Sequence, residues 1–487
     1  MLQLTNHLLS ERVVRDVSCL KRRSSRTLGR YVVGITAASV LLSLTTNSAA
    51  WSASLPESLV RAYQGNPQLN GARAGQRAVD ENVPQALSGY RPQIIASLSA
   101  GLASVRNLLP DNTVQSATLK PWTIGVTVTQ NLFNGFKTAN SVRVAEAQTL
   151  SGREALRNVG QGVLLDAVTA YMNVLANQAL VDSQKLAVSF YQETQSVTQR
   201  RLNAGDVTPT DVAQAEARLS RANSDLNTAQ VALAISQATF AQVIGSPPDK
   251  LAPVPPIDRL LPHSLDEALA TADHDHPAIL AAGYDVDVAE STIHVAESSL
   301  FPQLNVQGNV SRNVQTDTTL GTTKTDEASV LGQLNVPIYD GGLAASQTRQ
   351  AKELAVQSRL VLDQIRNQTK TAVVSAWATS EGAKIGVTAS ESEVHAADVA
   401  LQGVRREADG GQRTTVDVLN AQQDLMSARA RLIQAQHDRI IASYTLLSAI
   451  GHLDVKTLGL NTPDYLPEVH YQQVRDSWGG LRTPSGR

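Results

Sequence analysis

The sequence predicts an α+β membrane protein: a homotrimeric 12-stranded β-barrel, four strands per chain, continued by a long antiparallel α-helical coiled-coil barrel. Three observations carry its strands and its long helices. The 487-residue chain repeats itself once. Four segments alternate apolar and polar residues. Two stretches of about 65 residues lack proline, and as helices each would reach on the order of 100 Å.

The first element is a leader. Residues 21–30 are strongly basic, Tyr31–Leu44 is mostly apolar, and small residues Asn47-Ser48-Ala49-Ala50 follow. This reads as a secretory signal spanning 1–50, cleaved after Ala50. Its apolar run is shorter than the roughly 20 residues a spanning helix needs, and no later segment approaches the length and apolarity of one. If the chain crosses a membrane, it must therefore do so as strands. Residues 1–30 carry seven of the 42 Lys and Arg but two of the 44 Asp and Glu, so the remainder is acidic and unsuited to nucleic acid. The single cysteine, Cys19, excludes an intrachain disulfide framework or a cysteine-rich metal site. It precedes the apolar run, so it is not a lipid-modified first residue of a mature chain.

The repeat follows. Ser54-Leu55-Pro56-Glu57-Ser58-Leu59 returns as Ser264-Leu265-Asp266-Glu267-Ala268-Leu269, Pro67 as Pro277, and Arg91-Pro92-Gln93 as Phe301-Pro302-Gln303, all 210 residues apart. Asn134-Gly135 returns as Asp340-Gly341, Gly205 as Gly411, Asp211 as Asp417 and Gly245 as Gly451, now 206 apart. One change of offset means two copies of one unit, with a loop that differs in length. The copies occupy 51–246 and 263–453, joined by a proline-rich linker at 247–262 and followed by a tail at 454–487.

Each copy has the same order. A helical stretch (Pro56–Ser88 or Leu265–Ser299) ends before a proline, which pushes its predecessor out of the α region. Two strands follow, Gln93–Val105 with Trp122–Phe133 and Gln303–Val314 with Ser329–Ile338. Their period of two gives one apolar and one polar face, as with Trp122, Ile124, Val126 and Val128 against Thr123, Gly125, Thr127 and Thr129. Polar loops at 106–121 and 315–328 join the members of each pair. A glycine turn then leads into the long helix, about Lys137–Leu202 or Leu343–Ala408, and a second helix with a heptad seam. The seams run Val212, Ala215, Leu219, Ala222, Leu226, Ala229, Leu233, Ser236, Phe240 and Val418, Ala421, Leu425, Ala428, Leu432, Ala435, Arg439, Ala442, Leu446. Four strands cannot close a barrel, and an open edge in lipid leaves backbone groups unsatisfied. Chains must therefore be pooled, and three would give 12 strands, an even-numbered closed barrel.

The twofold order, Asn66-Pro67 and His276-Pro277, the strand-to-helix turns and Gly411-Gln412-Arg413-Thr414-Thr415-Val416-Asp417-Val418-Leu419-Asn420-Ala421 together resemble the TolC family of outer-membrane export channels, over roughly Leu55 to Leu453. The resemblance implies a homotrimer in the outer membrane of a Gram-negative bacterium, with a large periplasmic tunnel. It also implies a periplasmic adaptor, an inner-membrane ABC or RND-type transporter, and drugs or secreted proteins as cargo. The unlipidated start sides with the secretion-type branch.

The same resemblance assigns sites. Asp417 lines the closed entrance, where three carboxylates on a threefold axis would raise one another's pKa and attract cations. The alternative is a first-turn acid favoured by the helix dipole. Asn420 stands where the family relative has a second aspartate, leaving one acidic ring. Arg413 latches its hairpin to a neighbour through Thr210 and Asp211, although Ala408 replaces a tyrosine that completes the latch elsewhere. The turns with Gly205, Asp206 and Val207, and with Gly411 and Gln412, meet the adaptor. Glycine there is also explained as a left-handed helix cap. The cluster Asp273-His274-Asp275-His276, with His294 nearby, invites a metal, but His276 before Pro277 matches Asn66 before Pro67 and reads as a helix cap. No phosphate loop, Gly-x-Ser-x-Gly or His-Glu-x-x-His occurs, so no enzyme, cofactor or metal is expected. The competing class is a secreted or periplasmic coiled-coil scaffold, which would not need four strands with an apolar face.

Overall fold

The computed structural model describes residues 54–317, 321–484 and 486. The expected signal segment lies outside the described residues. Chain order is α1 (Leu55–Gly65), α2 (Pro67–Asp80) and α3 (Asn82–Leu87), strands β1 (Gln93–Ala100), β2 (Ala103–Leu108) and β3 (Val114–Asn134), then helices α4 (Lys137–Ala204) and α5 (Pro209–Ile244). The second copy gives α6 (Leu265–Asp275), α7 (Pro277–Glu297), β4 (Gln303–Asp317), β5 (Gly321–Asn335), α8 (Leu343–Asp409) and α9 (Thr415–Ala449), and a last helix, α10 (Pro467–Val474), follows.

The opening helical stretch of each copy is broken, not continuous. Asn66 and His276 sit in extended backbone before their prolines, with ψ of 124° and 122°. Each then caps the next helix: Asn66 accepts from the Gln68 and Leu69 amides, and His276 Nδ1 accepts from the Ala278 amide at 3.2 Å. The other cluster residues have partners of their own: His274 meets Asp275 at 2.7 Å, Asp275 meets His452 at 3.0 Å, and Asp273 meets Arg366 at 3.9 Å.

The strands are longer than expected and the loops shorter. Most of 106–121 and 315–328 is strand: β2 pairs with the first part of β3, and β4 with the first part of β5. On the other side β5 stops at Asn335, short of the expected Ile338. The sheet order is β1-β3-β4-β5, with β2 also on β3. β1 and β2 are one strand position interrupted at Gly101 and Leu102, because Ala100 faces Trp122 and Ala103 faces Leu119 in unchanged register. The cause is Pro121. Its carbonyl accepts from Gly101 N at 2.9 Å, but with no N–H it cannot return the bond. The other edge of β3 is untouched, and Pro121 pairs there with Gln315.

The alternation holds along β3. Trp122, Ile124, Val126 and Val128 are exposed, whereas Thr123, Gly125, Thr127 and Thr129 are half-buried or buried. On the polar face Thr123 and Thr127 hydroxyls hydrogen-bond Asn313 and Asn309 of β4. The helical part is the reverse, with its apolar core inside the chain. Leu164, Val168 and Tyr171 of α4 pack with Phe240 of α5, Leu447 of α9 and Ala268 of α6. The seam alanines Ala215, Ala222 and Ala229 are buried, and Arg439, the polar member of the second seam, reaches Asp258 of the linker at 3.0 Å. That linker is not a free spacer: Tyr171 Oη donates to the Ala252 carbonyl at 2.7 Å. One stretch of α4 does reach the length and apolarity of a spanning segment, contrary to expectation, but half of it is buried within the protein.

The tail folds back onto the first copy. Tyr63 donates to Asp464 at 3.0 Å, the Arg73 guanidinium lies 4.5 and 5.0 Å from the Tyr63 and Tyr465 rings, and His470 meets the buried Asp80 carboxylate at 2.9 Å.

Candidate functional site

The free ends of the two helical hairpins hold the residues that the sequence singles out. α4 and α8 end in the same motif. In the first copy Asp206 N donates to Arg201 O and Gly205 N to Leu202 O; in the second Gln412 N donates to Glu407 O and Gly411 N to Ala408 O. This Schellman arrangement needs a left-handed residue, supplied by Gly205 (φ +83°) and Gly411 (φ +76°). Gly205, Asp206, Gly411 and Gln412 are exposed, and Val207 is half-buried.

Reciprocal capping boxes start the next helices. Thr208 and Thr414 are the caps. Asp211 returns a carboxylate oxygen to the Thr208 amide at 2.9 Å and hydroxyl at 2.7 Å. Asp417 does the same to Thr414, at 3.0 and 2.9 Å. Those hydrogen bonds, from the backbone amide first, hold both carboxyls below the usual range. Within one chain, then, Asp417 is the charged partner of a cap.

Within the single chain Arg413 pairs with Glu407 of its own turn at 2.9 Å, and Thr210 is exposed in the first turn of α5. Asn420 does bridge the hairpins: its side-chain oxygen accepts from Arg218 of α5 at 2.9 Å. Sequence reasoning missed Arg218. The available signal was its counterpart 206 residues on, Asp424, a charge reversal at matching positions of the two copies. Behind the turns, Ala408 borders a cavity of about 250 Å³ with Phe190, Thr194 and Val418, and the Arg405 guanidinium covers the Phe190 ring at 4.5 Å.

An open sheet with an exposed apolar face, joined to two antiparallel helical hairpins with acidic capping boxes at their far ends, is the architecture of an outer-membrane channel protein. The chain belongs to the outer membrane efflux protein family, whose model matches residues 59–246 and 268–452. It is 42% identical to the outer membrane efflux protein BepC of Brucella suis biovar 1, over 93% of this chain and 98% of that protein. It is 26% identical to the outer membrane protein TolC of Escherichia coli K12, over 84% and 85%. The fold matches the solved Campylobacter jejuni CmeC outer membrane channel with a TM-score of 0.72 at 14% identity, covering 87% of this chain and 89% of that one.

Proposed function

We propose that three copies of the chain close a 12-stranded barrel in the outer membrane and a helical tunnel beneath it, forming the exit duct of a tripartite export system. Membership of the outer membrane efflux protein family makes the chain a channel component, not an enzyme. The observation that carries the closed trimer is the sheet itself. Its two edge positions, β1 with β2 and β5, lack partners on their outer sides among the described residues, and its apolar face is exposed. In lipid each unpaired backbone group costs several kcal/mol, so the edges must meet those of neighbouring copies. In this reading the two copies of the unit, 51–246 and 263–453, each give two strands and one hairpin.

The hairpin ends then converge on the threefold axis in the periplasm. Asp417 forms the constriction, with Asn420 one turn behind, and Arg413 latches across to Thr210 and Asp211 of the adjacent hairpin by leaving Glu407. The turns at Gly205–Val207 and Gly411–Gln412 meet a periplasmic adaptor, which connects the duct to an inner-membrane ABC or RND-type transporter that supplies the energy.

Membrane fractionation tests the assembly: an SDS-resistant trimer in the outer-membrane fraction is expected, and a soluble monomer would favour a coiled-coil scaffold. The register is tested by Val126→Arg, which should cost roughly 2–4 kcal/mol near the bilayer midplane. Normal trimer yield from that variant, with Thr127→Arg doing the damage, would invert the two faces.

A further inference from the structure

The described strands hold four basic residues, Arg106 on β2, Lys120 on β3, Arg312 on β4 and Lys324 on β5. Residues directly opposed in an antiparallel ladder share a face, so the register sorts the charges. Arg312 faces Ile124, and Lys324 faces Val314, which in turn faces Trp122. Lys120 is two residues from Trp122, and Arg106 faces Ser116, four residues from Lys120. All four cations therefore share the apolar, outward face. The strand acids divide differently. Asp317 faces Leu119, and Glu327 faces Ser311, which faces Gly125, so both lie on the polar face. Asp326 is the strand acid on the outward face, and Arg312 holds it in a two-bond pair at 2.5 and 2.8 Å.

Their height is also sorted. Each cation is the first or second outward residue beyond the apolar run of its strand, on the side of the hairpin tips. Lys120 follows Val128, Val126, Ile124 and Trp122. Arg312 follows Val306 and Val310. Asp326 and then Lys324 follow Leu334, Val330 and Ala328, and Arg106 lies beyond Leu98 and Leu102. Trp122 faces Val314, yet the outward run on β4 is interrupted at Arg312, so the apolar edge slants across the sheet toward the helices. Tilted strands crossing a flat membrane surface require such a slant. The four cations thus lie on the hairpin-tip side of the outward apolar runs, at levels from Ser116 to Ile124 of β3.

We propose that these cations form a collar at the boundary of the bilayer and bind phosphate groups of anionic lipid headgroups in the outer leaflet. The inference rests on the strands forming a membrane barrel. Arg106, Lys120 and Lys324 are exposed, and three chains bring nine such cations round the rim. Arg312, the first polar residue past the apolar edge of β4, sits closest to hydrocarbon, where a charge needs a partner. Asp326 supplies it and leaves guanidinium donors over for a phosphate oxygen. Each cation beside an anionic headgroup is worth about fivefold in affinity.

The purified full chain is reconstituted into phosphatidylcholine vesicles doped with a diphosphorylated glucosamine-disaccharide lipid or with its dephosphorylated counterpart. Native mass spectrometry after detergent extraction counts lipid retained per trimer. The parent should retain the phosphorylated lipid roughly tenfold over the other. Arg106→Gln, Lys120→Gln and Lys324→Gln combined should remove the preference, whereas Glu327→Gln on the opposite face should keep it. Where the triple variant fails to assemble, Lys120→Gln alone should reduce the preference, and the two-lipid comparison needs no variant. Equal retention of both lipids by the parent, or an intact preference in the triple variant, overturns the proposal. Displacement by inorganic phosphate alone would assign the collar to free phosphate and overturn the lipid assignment. A parent that forms no trimer in vesicles would overturn the barrel reading itself.

Discussion

α4 and α8 descend from the same helix of the repeated unit, yet one is the centre of the chain and the other its margin. Along α4, Leu164, Val168 and Tyr171 are nearly inaccessible, packed by helices from both copies. At the matching positions 206 residues on, α8 has Lys370 and Val374, both exposed, and a half-buried Trp377. The exchange also runs the other way. α8 exposes Leu354, Leu360 and Val399 where α4 carries Gln148, Glu154 and Glu193. Duplication supplied two identical helices, and divergence made one of them a core and the other an unfilled edge. In the trimer proposed above, that edge is where the next subunit packs.

The largest expected effect separates the two helices directly. Tyr171→Ala should cost about 3–5 kcal/mol, because it empties a closed site and frees the Ala252 carbonyl. Trp377→Ala should cost less than half of that in the dissociated chain. Denaturant titration followed by helix content measures both, and equal costs would break the distinction between centre and margin. Next, Leu360→Glu gives α8 the residue of its twin, and each Leu withdrawn from an interface forfeits about 1.5–3 kcal/mol. Trimer should be lost on a sizing column at unchanged helix content. A full trimer yield would place the α8 surface against water.

Smaller effects compare the hairpin ends. Asp211 and Asp417 make the same capping box, so Asn at either position should destabilise its helix alike, while only Asp417→Asn should lower cation preference in single-channel recordings. The sign with pH follows from the cap: the folded-state pKa is depressed, so the charged box is fully present above the ordinary carboxylate value of about 3.9 and is lost as pH falls through the lower, folded value. Cation preference should survive down to about pH 4 and collapse below it. Collapse at higher pH would mean that repulsion within the acidic ring outweighs the cap. Last, Arg413→Ser or Asp211→Ala should raise conductance, with the double change adding less than the sum of the two. Glu407→Gln, which releases Arg413 from its own turn, should lower it. Additive effects, or a neutral Glu407→Gln, would mean that the entrance closes by packing alone.

Much of this was legible because it is local. Two proline-free stretches fix α4 and α8 to within a few residues, and alternation fixes which strand face is apolar. The capping boxes were open to the same local reading, Thr208 and Thr414 standing three residues before an aspartate, although only the first-turn acid was read there. What escaped depends on the partner strand or helix. Pro121 reads as the end of a loop, yet it sits inside β3, because its missing donor faces only one neighbour and Gly101 tolerates the gap. The heptad seams lie on α5 and α9, not on the long helices, so they could not say which of α4 and α8 lies inside. Arg218 and Asn420 meet only once two hairpins pack, and the tail has no periodicity that would have revealed its contacts.

The contacts of that tail have a kinetic meaning. Tyr63 with Asp464 and Asp80 with His470 join residues about 400 positions apart, and contacts of such long sequence separation are entropically the last to close. Until they do, the buried carboxylate of Asp80 lacks its imidazole and the aromatic stack on Arg73 is half built. The first helices to emerge in synthesis therefore reach their final packing only after nearly the whole chain has followed them.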